Sequence, residues 1–170
     1  METITITGAN RGIGLELTRQ YLRANNTVIA TCRNPSSATD LITLTSNPNL
    51  QVAQLDVTDR QSVDAFCASI KDKVIDVLIN NAGVKGSANQ GLDDMDAESW
   101  LAAFNTNTIA PFMFSSRLLK NLKPADRPRI ISVSSYMGSI SRPGTGLYAY
   151  RSSKAALNKV MQVMANELLA

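Results

Sequence analysis

The chain has 170 residues, 44% of them apolar, with a formal net charge of +3, two cysteines and no histidine. That length suits one domain with a real core. The lack of histidine excludes histidine general bases and histidine metal ligands, so no metal site is expected, and the small, dispersed positive charge is a weak footprint for nucleic acid.

Short apolar runs alternate with longer amphipathic stretches. Residues 3–7 read as a strand, 12–24 as a helix and 27–31 as a second strand; 35–46 is a loop with a short helix. Residues 50–55 form a third strand. Thr58, with Gln61 three positions on, forms a capping box that opens a helix to about Lys73. A fourth strand covers 75–79, and 83–94 is the most loop-like stretch. A long helix runs over 96–119, and 129–133 is a fifth strand. The last helix spans 147–169, with Leu157, Val160, Met161, Met164 and Leu168 along one stripe. Strand alternating with helix predicts a single doubly wound α/β domain over 1–170, a parallel sheet with helices on both faces. The run from Ile4 to Ile6 is too short for a signal peptide, and no segment is long enough to span a bilayer, so a cytoplasmic location is expected. Cys32 and Cys67 sit in strand-like and helix-like settings and read as packed thiols.

The stretch from Thr7 to Gly14 (Thr-Gly-Ala-Asn-Arg-Gly-Ile-Gly) lies between the first strand and the first helix. Gly8 permits a tight turn; Gly12 and Gly14 let a pyrophosphate approach the backbone at the helix amino end. The spacing is Gly-x-x-x-Gly-x-Gly, and the same glycines also suit a purely structural turn. The end of the second strand selects the nucleotide. A carboxylate there bonds the ribose hydroxyls of NAD, whereas an arginine accommodates a 2′-phosphate. This chain has Arg33 after Cys32 and no carboxylate, and Arg11 lies in the glycine turn. Two cations point to NADP(H), against the reading of two ordinary surface arginines. Asp56 ends the third strand, where it either meets an adenine amino group or closes a local turn.

Tyr150 and Lys154 are four residues apart near the end of the chain, on one face of a helix. A cation held beside a phenol favours the phenolate, which makes a usable proton donor or acceptor. Tyr148 has Ser152 at the equivalent distance and lacks that partner. Pro111 lies four residues after Asn107 inside a helical stretch, so the carbonyl of Asn107 loses its helical partner. That carbonyl is then open to a water, or the kink serves packing alone.

Together these residues resemble the short-chain dehydrogenases/reductases over essentially the whole length. The elements in family order are the Thr7–Gly14 turn, the stretch from Asn80 to Gly83 (Asn-Asn-Ala-Gly), Asn107, Ser135 and Tyr150-x-x-x-Lys154. The residues around Tyr150 are similar to the branch of C-factor and sniffer-like carbonyl reductases. The resemblance implies a Rossmann fold and NADP(H)-dependent reduction of a carbonyl or oxidation of an alcohol. It implies Tyr150 as general acid or base and Lys154 as the group that favours its phenolate and binds the nicotinamide ribose. Ser135, the second of the Ser-Ser pair with Ser134, would hydrogen-bond the substrate oxygen. Asn107 would hold the water of a proton relay to Lys154. Cofactor contacts extend to Asn10 and Ile13 in the turn, to Asp56 and Val57, and to Asn81, Ala82 and Gly83. The two long helices would pair with a second copy as a homodimer or homotetramer.

Family members continue beyond the last helix with a sixth strand, a substrate lid and a seventh strand. This chain stops at Ala170, so the C-terminal strands are expected to be missing and the fifth strand to be an uncovered edge. Substrate choice in the family lies largely in that part. The alternative function is therefore a catalytically silent NADP(H)-binding protein with a regulatory or signalling role.

Overall fold

The structure is a computed structural model describing residues 1–169. Its described residues form two compact units: Met1–Ala82 with Phe114–Val133, and Gly83–Met113 with 134–169.

The first unit holds a five-stranded sheet. Its strands are β1 (Thr3–Ile6), β2 (Thr27–Cys32), β3 (Leu50–Gln54), β4 (Val77–Asn80) and β5 (Arg129–Ser132). All pair in parallel in the order β3-β2-β1-β4-β5, with Ile6 opposite Ala30 on one side and Ile79 on the other. The β2 sequence Thr-Val-Ile-Ala-Thr-Cys is almost wholly buried, as a central parallel strand covered on both faces requires. Helix α1 (Gly12–Arg23) buries Leu15, Thr18 and Leu22 at helical spacing. Together with Leu41 of α2 (Thr39–Ile42), Leu15 and Leu22 join Ile4, Ile6, Val28 and Ile79 in one apolar cluster. The opposite face packs Val63, Phe66 and Cys67 of α3 (Arg60–Ser69) with Ile29 and Leu78. Phe114, Leu118 and Leu122, from α5 (Ala110–Leu122), complete that layer. Burying each such large apolar side chain contributes ~1.5–3 kcal/mol. The expected doubly wound sheet is thus present.

Three local expectations change. The cap of α3 is Asp59, whose Oδ1 accepts the Gln61 N–H at 2.9 Å, because Thr58 is taken by Asp56: the Thr58 N–H and hydroxyl both donate to Asp56 Oδ1 at 2.9 and 2.7 Å. That helix ends at Ser69, short of Lys73. The long helix is three pieces: α4 (Ala97–Phe104) capped by Asp96, a π-helical turn over Asn105–Ile109, and α5. Third, Leu168 stands exposed; of the stripe on α6 (Tyr148–Leu169), only Leu157 and Met164 are buried.

The second unit contains α4, the π turn, the start of α5, a 3₁₀ turn at Tyr136–Gly138 and α6. Helix α6 begins at Tyr148, after Leu147 in the left-handed region at φ +53°. Both cysteines lie in the first unit, free and buried, and burial pushes both thiols up, in keeping with packed thiols.

Candidate active site

The sheet order places its topological switch between β4 and β1, whose carboxyl ends lead into Asn81 and into the glycine turn. These two segments are stitched together. Thr7 Oγ1 accepts the N–H groups of Asn81 and Ala82, both at 3.0 Å. Asn81 Nδ2 donates to the carbonyls of Thr7 (2.9 Å) and Gly8 (3.0 Å). Gly8 has φ +64°, and a Cβ there would lie 2.9 Å from Ala82 Cα. A Cβ on Gly14 would strike the Asn81 amide. Glycine is therefore required at both positions by close backbone approach. The Asn81 side chain is spent on the turn. Buried Asn80 donates to Ser115 Oγ at 2.9 Å and so steadies the sheet.

The turn has the features of an anion cradle. Helix α1 has no side-chain cap at Arg11 and no acidic residue in its first turn. Gly12, at φ +56°, faces open space, with nothing within 4 Å of where a Cβ would stand. The amino end of α1 thus offers backbone donors and a positive dipole end without an internal competitor. Arg11, Gly12 and Ile13 are exposed, as is Arg33 after β2. Asp56 and Val57 are half-buried after β3. One Asp56 oxygen holds Thr58, which answers the local-turn reading of that residue. Asn10 is half-buried in the turn.

The second unit gathers the other predicted residues. Asn107 is fully buried inside the π turn. Its Oδ1 accepts the Val84 N–H at 2.9 Å, and its Nδ2 donates to the Val84 carbonyl (2.8 Å) and Ser153 Oγ (3.0 Å). The amide side chain is fully employed, so its fixed orientation is structural and any water it holds must use the main chain. Pro111 has no N–H to return to the Asn107 carbonyl, and the widened turn accommodates its ring, with the Ala110 N–H donating to the Asn105 carbonyl instead.

Ser153 links this turn to the tyrosine: its hydroxyl donates to the Tyr150 carbonyl at 2.9 Å, while Thr108 Oγ1 donates to the Ser153 carbonyl at 2.8 Å. Tyr150 is half-buried. Tyr148, partly exposed, packs on Trp100 with ring centroids 6.5 Å apart. Ser135 Oγ accepts the Met137 N–H at 3.1 Å and caps the 3₁₀ turn, keeping its own proton to donate. Ser134 Oγ is buried without a hydrogen-bond partner among the described residues. Gly138, ending that turn, lies against Lys154; a Cβ on it would come 2.9 Å from Lys154 Cβ. Asn158 Nδ2 donates to the Gly138 carbonyl at 3.3 Å.

Lys154 is 5% exposed, and burial holds its ammonium below the usual 10.5. Below the folded-state value both states are protonated and stability does not vary through this group. Between that value and 10.5 the unfolded chain binds more protons, so stability rises with pH. Denaturant titrations should show the wild type gaining stability relative to Lys154→Met as pH climbs toward 10.5. A difference flat in pH would overturn the lowered value.

Sequence reasoning missed four residues that hold these groups in place: Thr7 at the glycine turn, Ser153 beside Asn107, Gly138 against Lys154, and Gln90, buried in the loop after β4. Thr7 and Ser153 stand within motifs already singled out, and their neighbours were the available signal; Gly138 stands in no such motif. Gln90 had none.

The chain matches the short chain dehydrogenase family over residues 2–170. It is 36% identical over 168 residues to an uncharacterized oxidoreductase of Schizosaccharomyces pombe, covering 96% of this chain and 66% of that protein. Among solved structures it resembles the Caenorhabditis elegans protein described as the carbonyl reductase Sniffer, at 31% identity and TM-score 0.88, covering 98% of this chain and 78% of the other. A carbonyl reductase of Pseudomonas aeruginosa in complex with NADP is also similar, at 30% identity and TM-score 0.88, covering 98% and 76%. The chain spans 59% and 66% of the length of the first two curated relatives. Among the described residues, no helix is long and apolar enough to cross a membrane.

Proposed function

The chain belongs to the short chain dehydrogenase family, and on that premise we propose that it is an NADPH-dependent carbonyl reductase. The observation that carries this reading is the tie from Asn107 through Ser153 to Tyr150, one helical turn from buried Lys154. In this reading NADPH supplies a hydride to the carbonyl carbon. Tyr150 gives its phenolic proton to the carbonyl oxygen, and Ser135 donates a hydrogen bond to the same oxygen as negative charge grows on it. Lys154 holds positive charge beside the phenol and binds the nicotinamide ribose, and a water held by the main-chain carbonyl of Asn107 relays protons to it. The glycine turn, with Gly8, Asn10, Gly12, Ile13 and Gly14, holds the pyrophosphate. Arg11 and Arg33 hold the 2′-phosphate. Asp56 and Val57 border the adenine, and Asn81, Ala82 and Gly83 border the nicotinamide through their main chain. The uncapped start of α1 and the open space over Gly12 support this fit.

The test is loss of NADPH absorbance against a panel of aldehydes, ketones and quinones. Turnover of any of them supports the enzyme. Tight NADPH binding with no turnover favours a silent NADP(H)-binding protein.

The same reading includes self-association in the cytoplasm. Leu101, Ile109 and Met113 on the helical run from α4 to α5, and Val163 on α6, are exposed apolar side chains. A homodimer or homotetramer that buries them is expected. Light scattering at micromolar concentration should return a mass of two or four chains; the mass of one chain counts against it.

A further inference from the structure

Gln90 belongs to the loop following β4, yet it is 3% exposed and every polar atom of its side chain is engaged. Nε2 donates to the carbonyls of Lys85 (2.8 Å) and Ser87 (2.7 Å). Oε1 accepts the backbone N–H of Tyr150 at 3.0 Å. That N–H lies in the first turn of α6, where no helical carbonyl precedes it to take the bond. A side chain sixty residues away in sequence therefore satisfies the donor of the very residue that carries the phenol. The packing is made for it. Gly86, at φ +89°, passes the amide so closely that a Cβ would lie 3.1 Å from Nε2, and Gly146, at φ +62°, faces the Gln90 carbonyl.

We propose that Gln90 is a positioning residue for the proton-transfer step: it locks the main chain of Tyr150 to the 85–90 loop and thereby sets where the phenol stands. The tie acts from the amino side of Tyr150, while Ser153 holds its carbonyl from the other side. Proton transfer depends steeply on donor placement, whereas nucleotide binding at the glycine turn does not involve Gln90.

This rests on the carbonyl-reductase reading, so the experiment has one arm that needs no turnover. In the first arm, hydrogen exchange of the Tyr150 amide is compared between wild type and Gln90→Met, a substitution of similar volume without the acceptor. Exchange at Tyr150 should quicken by about tenfold or more while Leu157, in the middle of α6, is unchanged. Equal protection at Tyr150 overturns the tie whether or not the protein is an enzyme. In the second arm, steady-state kinetics on any carbonyl the wild type reduces should show kcat lowered about tenfold to a hundredfold in Gln90→Met, with KM for NADPH within about twofold. Gln90→Glu supplies a rescue test. Protonated, it accepts from Tyr150 and donates one bond to a loop carbonyl; ionised, it cannot donate. Its kcat should approach wild type at acidic pH and fall along a titration absent from the wild type, with Gln90→Met low throughout. Wild-type kcat in Gln90→Met, or equal loss of kcat and NADPH affinity in both variants, overturns the positioning role. If the wild type turns over no carbonyl, the functional reading fails and the exchange arm alone decides whether Gln90 fixes Tyr150.

Discussion

Tyr150→Phe is expected to lower turnover by about a hundredfold to ten-thousandfold, the range that a positioned general acid supplies. The ring keeps its packing and α6 keeps its hydrogen bonds, since Gln90 and Ser153 hold the main chain of this residue and not its phenol. NADPH affinity should therefore hardly change, and the loss should fall in kcat. Tyr148→Phe serves as the control. Its ring packs on Trp100, and its helical position puts Ser152, not Lys154, one turn on. It should leave turnover nearly intact. Lys154→Ala should harm both cofactor binding and turnover, because one ammonium serves both. Near-normal turnover in Tyr150→Phe, or a large loss in Tyr148→Phe, would show that the proton donor is misassigned.

The second large effect concerns nucleotide choice. Arg33 is exposed just after β2, and its sequence neighbours Cys32 and Asn34 bring no carboxylate to repel a phosphate. Charge-assisted hydrogen bonds contribute about 1.5–3 kcal/mol each, so calorimetry should find NADPH bound about tenfold to a hundredfold more tightly than NADH. High salt should narrow the gap, because the sites are open to solvent. Arg33→Asp should reverse it by removing a cation and supplying an acceptor for ribose hydroxyls. Equal affinities of the wild type for both nucleotides would remove the role given to Arg33 and Arg11.

What could be read in the sequence was whatever depends on short spacing. The glycine turn and the tyrosine–lysine pair each lie within eight residues, and secondary structure alone brings their members together. The sheet followed from alternation of apolar runs with amphipathic ones. What escaped depends on partners far apart. Gln90 reads as one more polar loop residue until Tyr150 is brought to it. The cap of α3 was misplaced by one residue because Asp56 takes the Thr58 N–H and hydroxyl while Asp59 takes the Gln61 N–H, and local geometry alone decides that division. Pro111 signalled a disturbance after Asn107, but a proline predicts a lost bond, not the wider turn that absorbs it.

That wider turn makes chain length itself a functional property. A π turn carries more residues per revolution than an α turn, so residues before Asn105 and after Ile109 follow two different angular phases. A single-residue deletion between them would let α4 and α5 merge into one regular helix, with no Gly or Pro inserted and little change in helical content. Such a deletion would leave the two halves in nearly their present orientation, since an α turn reaches the same angle with one residue fewer, but it would remove the widening in which Asn107 meets Val84 and Ser153. The segment therefore tolerates changes of identity far better than changes of length. A variant that lost one residue there is expected to look well folded by circular dichroism and yet to lack the ties of Asn107 to Val84 and Ser153.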